Sequence, residues 1–328
     1  MYISRLNELF MKLPLLILFF SATFSYAQGT RFLDQHFIPA KTGTDTDNIT
    51  KTDSSGTEQA VPKPYHFAAS ENLALVRHEG FISAMHPVFN IPAWTYHRIS
   101  LALLPEVSTP KRPGGYAGDP EYTSLKGSAY GGSGYDHGHL APAADFKRSK
   151  ELYIQSHYMT NMAPQHGCLN QIGWCYLESM TRNWAVESPN TVTHVISGCI
   201  LSEFSDTLCH PSGLRICVPA YFFKAILIED TIHPALSKAI GFIVPNDDLT
   251  KEAAQASRCS IDAIEVVTGL DLFSGATKLD QLLLAQVESK TGSFGWEGYK
   301  VDCGTKKCEN IYTGKRKKPE KRTKLLCR

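Results

Sequence analysis

The chain has 328 residues, of which 43% are hydrophobic and 20% charged; this excludes a disordered or low-complexity protein and leaves room for one large or two medium domains. The formal net charge of +1 is unevenly placed: residues 305–328 hold ten Lys/Arg against two Asp/Glu, so the rest of the chain carries −7. A body of that sign excludes nucleic-acid binding by bulk positive charge, and any polyanion has to be held in a local groove.

From Met11 the run MKLPLLILFFSATFSYAQ has a basic start, an apolar stretch and small residues at Ser25 and Ala27. It reads as an export signal covering residues 1–27, with cleavage after Ala27 and a secreted or periplasmic destination. The apolar run is short for a membrane span, so no stable span is expected after cleavage. Residues 28–75 are a polar linker rich in Thr, Asp, Ser and Lys, with a glycosylation sequon at Asn48-Ile49-Thr50. A folded domain over 76–286 follows. Apolar alternation from Ala74 gives two or three strands, with turns at Glu79-Gly80 and His86-Pro87. Residues 105–130 are rich in Pro and Gly and read as loop. After the glycine-led stretch Ser133–Phe146 come a short helix near Lys147 to Gln155 and a longer one opening at Asn170. TVTHVISGCI, AYFFKAILIE and AIGFIVPN read as strands, the first two central. Lys251 to Ala256 and Asp262 to Thr268 read as helices. Residues 287–328 form a basic, cysteine-containing tail, either solvated or a small disulfide-tied module that touches nucleic acid or another polyanion. The fold class is α+β, a central, mostly antiparallel sheet flanked by helices.

All nine cysteines lie at or beyond residue 168, and in an exported protein many of them oxidise. Cys168 and Cys175 cannot pair with each other inside one helix, because seven residues rise about 10 Å. Cys199, Cys209 and Cys217 bracket a hairpin excursion in which a bridge is plausible.

Two stretches carry chemistry. In SGYDHGHLAPAADF, Gly131, Gly132 and Gly134 free the backbone to turn tightly ahead of Asp136, His137 and His139. An imidazole is the side chain best suited to take a proton from water near neutral pH. In TNMAPQHGCLNQIGWCYLESMTRNW, Asn170, Trp174, Glu178 and Arg182 recur at steps of four, a slowly drifting stripe on a helix. An Asn carbonyl oxygen is a hard ligand suited to Mg2+, which keeps several waters, while Glu178 can orient those waters and Arg182 can fork onto phosphate. Asn170 and Glu178 are separated by about 12 Å along an ideal helix, so joint action on one ion requires a water between them or an irregular first turn.

These stretches, as DHGHLAP, NMAPQ and NQIGWCYLESMTR, resemble the D-R-G-H-L-A-P, N-M-A-P-Q and N-x-x-x-W-x-x-L-E-x-x-x-R signature of the DNA/RNA non-specific endonucleases of the ββα-metal group, which includes secreted bacterial nucleases and mitochondrial endonuclease G. IPAWTYHRI upstream and VPAYFFKAIL and IDAIEVVTGLDLF downstream extend the resemblance over roughly Gly80 to Leu284. It implies His139 as the general base, Asn170 as the sole direct protein ligand of Mg2+ (with Mn2+ able to substitute), Glu178 orienting water at the ion, Arg182 on phosphate, and Asp136 and Asn161 in support. It also implies a ββα-metal motif, DNA and RNA as substrates, and 5′-phosphate products; a homodimer is compatible with it. The chain departs from the signature at His137, where the family has the Arg thought to help hold phosphate. On this reading His137→Arg preserves or raises activity, and activity falls below about pH 6 as His139 protonates. Two alternatives remain at this level: a Zn2+ hydrolase built on His137 and His139 with His157, His166 or Cys168, and a non-catalytic nucleic-acid-binding protein on a nuclease-like fold.

Overall fold

The structure, a computed structural model, describes residues 73–104, 110–122, 125–201, 206–209, 213–299, 301, 303, 306–312 and 318–319. The export signal, nearly all of the linker, the sequon and most of the basic tail lie outside the described residues.

The elements run β1 (Ala74–Arg77), β2 (Phe81–Met85), β3 (Pro92–Ile99), β4 (Asp136–His139), α1 (Lys150–Gln155), β5 (Met162–Gln165), a widened π-helical segment (Leu169–Trp174) leading into α2 (Cys175–Ala185), β6 (Thr191–Ile200), β7 (Asp206–Cys209), β8 (Arg215–Val218), β9 (Tyr221–Asp230), β10 (Lys238–Pro245), α3 (Lys251–Ala256), β11 (Arg258–Cys259), α4 (Ile261–Thr268) and α5 (Gln281–Glu288). Seven strands form one antiparallel sheet in the order β1-β2-β3-β6-β9-β10-β11.

The sheet centre follows from sequence. The run FFKAILIE in β9 is buried throughout, as a strand covered on both faces requires. Its partner β6 pairs along its whole length, Thr191 opposite Asp230 and Ile200 opposite Tyr221. Alternation then sorts the side chains of β9. Phe222 and Lys224 face the α2 side, where Phe222 packs 5.8 Å from the Trp174 ring and the Lys224 ammonium sits 4.3 Å over it. On β10, Gly241 leaves room for Ile264 of α4.

The expected fold class stands, and several details change. Ser133–Phe146 is not wholly irregular: Gly132 and Gly134 adopt positive φ, then β4 pairs with β5, Asp136 opposite Gln165 and His139 opposite Met162. A short alternating ribbon beside glycines carries too little periodicity to be read as a strand. α1 starts at Lys150 rather than near Lys147, because the Ser149 hydroxyl caps it by accepting from the amides of Glu151 and Leu152. The expected tail boundary at residue 287 falls inside α5.

The two cysteines that cannot pair with each other both pair with the tail, as Cys168–Cys308 and Cys175–Cys303. These bridges flank the π-helical segment. Ile311 packs on Cys168 and Ile172, and the Gly167 amide donates to the Tyr312 hydroxyl. The described part of the tail, expected to be either a solvated end or a tethered module, is a strap across the start of α2. Cys199, near the end of β6 and ahead of the β7–β8 hairpin, is a buried thiol outside any bridge; the side chain of Cys209 lies outside the described residues.

Candidate active site

β4, β5 and α2 form a ββα unit whose open side is a cleft of about 240 Å³. His137 and His139, two apart on β4, share a strand face and both line it, as do Asn170 and Glu178. Arg112, Tyr116, Tyr153 and His157 complete the polar wall.

His139 is fixed from behind: its backbone carbonyl accepts from the Trp174 indole at 3.0 Å. Its Nε2 is buried without a hydrogen-bond partner. The His157 ring meets it edge-on at 5.0 Å, itself oriented through Nδ1 to the Tyr153 carbonyl at 2.8 Å. Burial, and then the neighbouring His157, Arg112 and His137, hold the His139 pKa down at about 3. The ring is therefore neutral near pH 7 in the free protein, and its protonation there falls well below the expected pH 6.

Asn170 is not the first residue of a regular helix. It lies inside the π-helical segment, the irregular first turn that joint action with Glu178 required. Gly173 permits this turn to pack, since a Cβ there would stand 2.5 Å from the Leu249 side chain. The Asn170 amide nitrogen donates to Asp136 Oδ2 at 2.8 Å, and Gln171 donates to the same oxygen. Asp136 thus takes the donor end of the amide and leaves the carbonyl oxygen for a ligand.

Glu178 is buried enough for its pKa to rise, against the pull of Lys224 and Arg182. Lys224, 1% exposed, donates to Ser197 Oγ at 2.7 Å. An ammonium in the middle of a sheet is tolerable only beside a counter-charge, and Glu178 and Asp145 supply it.

Three further sequence-predicted residues are held by partners within the fold. Arg182 does not line the cleft. Its guanidinium donates to Asp145 Oδ1 at 2.9 Å and to Ser179 Oγ at 3.3 Å, and Asp145 is also bonded to His97 at 2.9 Å. The guanidinium thus has one nitrogen on a buried carboxylate and another on a hydroxyl. Asn161 is wholly buried and fixes the chain after His139: its Oδ1 accepts from the Ala141 amide, and its Nδ2 donates to the carbonyls of Ala141 and Ser156, all at 2.8 Å. His137 is sandwiched between Tyr116 at 4.2 Å and Tyr130 at 4.6 Å, with Nε2 bonded to the Gly127 carbonyl at 2.8 Å. That bond makes Nε2 a donor, which removes it as a zinc ligand, and no three-residue metal-ligating group among the described residues includes His137 or His139.

Sequence reasoning missed Arg112. Its guanidinium donates to the Tyr116 hydroxyl at 3.1 Å at the cleft wall. A lone Arg in the Pro/Gly-rich loop PKRPGGYAG gives no periodic signal. The donor set at the cleft, a carboxamide oxygen and a carboxylate with open space beside them, suits a hard, largely hydrated cation such as Mg2+.

Comparison with known proteins agrees with this geometry. Residues 63–279 match the sequence profile described as DNA/RNA non-specific endonuclease. Nuclease 1, mitochondrial, of Schizosaccharomyces pombe is 27% identical over 258 residues, covering 71% of this chain and 78% of that protein. The mitochondrial nuclease of Saccharomyces cerevisiae is 29% identical, covering 60% and 65%, and a nuclease of Nostoc is 30% identical, covering 50% and 58%. Among solved structures, a chain of the EndoG/EndoGI complex superposes with a TM-score of 0.52 at 19% identity, covering 66% of this chain and 89% of that one, a likeness of fold. The chain belongs to the DNA/RNA non-specific endonuclease family of metal-dependent nucleases.

Proposed function

We propose that the protein is an exported endonuclease that hydrolyses phosphodiester bonds in both DNA and RNA with Mg2+, for which Mn2+ substitutes. The observation that carries this reading is the unpartnered Nε2 of His139 in the same cleft as the Asn170 amide and Glu178. His139 takes a proton from water as the water attacks phosphorus in line. A ring held at a low pKa is a weak base in the free protein; the anionic phosphate entering beside it raises its proton affinity toward the useful range. Asn170 would hold the cation through its carbonyl oxygen and Glu178 would hold it through water; a bound ion would supply charge neutralisation at the phosphate, and departure of the 3′-oxygen would leave 5′-phosphate ends. Arg112 holds a non-bridging oxygen, the task the family resemblance gave to the residue at position 137 and to Arg182. Export rests on the N-terminal apolar run and on the disulfides, which persist in oxidising compartments.

The test is digestion of supercoiled plasmid and of RNA by the purified protein. Cleavage of both in MgCl2, its loss in EDTA and an Asn170→Ala variant at least 100-fold slower are expected. Tight binding of both substrates without cleavage in MgCl2 or MnCl2 would instead establish the non-catalytic alternative.

A further inference from the structure

Away from the cleft, α4 and α5 bring acidic side chains together. Asp262 and Glu265 are three apart on α4 and so share a face, and Glu288 is the last residue of α5. One carboxylate oxygen from each of the three lies within 4.8 Å of the other two. Asp262 is exposed, Glu265 half-buried and Glu288 only 8% exposed, so the cluster runs from a wet rim to a dry base. One oxygen of Glu265 is committed to the Leu272 amide at 2.6 Å. Oε1 of Glu288, at the base, is buried with no hydrogen-bond partner.

Buried carboxylates normally come with a cation or with donors. Here the charges acting on Glu288 are Glu265, Asp271 and Asp262, all of its own sign. We propose that Asp262, Glu265 and Glu288 form a second, structural cation site, separate from the catalytic cleft, that takes Ca2+. Ca2+ accepts six to eight oxygens in flexible geometry, which suits three carboxylates from two helices completed by water at the exposed rim. Mg2+ demands a near-octahedral set that two independently packed helices do not readily supply. Without the ion, burial and the like charges push the Glu288 carboxyl up to about 8.

The ion would tie the end of α5 to α4, immediately before the segment in which the Gly295 carbonyl accepts from the Trp184 indole. That segment leads to the cystine strap over the start of α2. The site therefore anchors the strap at its origin.

Thermal unfolding of the full chain, in EDTA and against rising CaCl2, tests the site without any activity readout. Wild type is expected to gain a saturable rise in Tm of roughly 5 °C, and Asn170→Ala to keep it. Glu288→Gln is expected to melt close to wild type in EDTA at pH 7, because without an ion the carboxyl is already protonated, and to show no rise in CaCl2. If Glu288→Gln fails to fold, Asp262→Asn at the rim serves, with at least a tenfold higher CaCl2 midpoint expected. A flat wild-type response, a full rise in Glu288→Gln, an unshifted midpoint in Asp262→Asn, or an equal rise in NaCl of matched ionic strength would each overturn the proposal.

Discussion

Glu178, half-buried at the cleft, and Glu288, 8% exposed, are glutamates whose pKa burial raises, yet they sit in opposite electrostatic settings. Glu178 looks at Lys224 and Arg182, fixed cations supplied by the protein itself. Glu288 looks only at other carboxylates. The first can ionise inside the fold at neutral pH and act beside a metal. The second can ionise only if a cation comes from outside. The same side chain thus becomes a working carboxylate or a cation trap according to what the neighbouring strand or helix presents.

The sharpest way to break the contrast is to remove the working carboxylate. Glu178→Gln is expected to lower kcat by about 100-fold or more while the protein stays folded, measured by plasmid nicking alongside circular dichroism. Next is its counter-charge. Lys224→Met leaves Glu178 without its lysine counter-charge, which costs about 3–5 kcal/mol of stability in denaturant melts. It also moves the acid limb of the pH–rate profile upward. The sign follows from the carboxylate: Glu178 must be ionised, its raised pKa makes it so only as pH rises toward neutral, and loss of Lys224 raises that threshold further. The double variant Lys224→Met/Glu178→Gln should recover stability and not activity.

Reduction of the strap comes third. Opening Cys175–Cys303 by Cys303→Ser is expected to cost about 2–4 kcal/mol and to lower activity, since the bridge holds the residue that follows the π-helical segment. An unchanged Tm would show that the strap is held by packing alone. The smallest effect is expected at position 137. His137→Arg removes two ring stacks and the bond to Gly127, so a loss of about 1–2 kcal/mol with no gain in rate is expected. A rise in rate would restore the family-based expectation for an Arg there.

How much was legible beforehand follows from the kind of signal each part carries. β6, β9 and β10 announce themselves because long apolar runs are needed where both sheet faces are covered. His139, Asn170 and Glu178 were found by motif and spacing, and the demand for an irregular first turn was readable as a distance mismatch. Arg112 was not, because a loop residue brought to the cleft by tertiary contacts leaves no pattern. The tie of Arg182 to Asp145 was not legible, because nothing in the sequence says that a residue thirty-seven positions away reaches it. The strap was invisible because cysteine pairing depends on which chain segments meet, and Glu288 gave no sign because a glutamate closing an amphipathic helix normally faces water.

The central claim is that one neutral imidazole, with its Nε2 unpartnered at the cleft, performs the proton transfer. The most direct test is the single-turnover cleavage rate of wild type and His139→Ala on the same plasmid and RNA in MgCl2, with equal folding verified by Tm. The account predicts a fall of about 100-fold to 10,000-fold for both substrates. A His139→Ala enzyme that cleaves either substrate within a few-fold of wild type would contradict it.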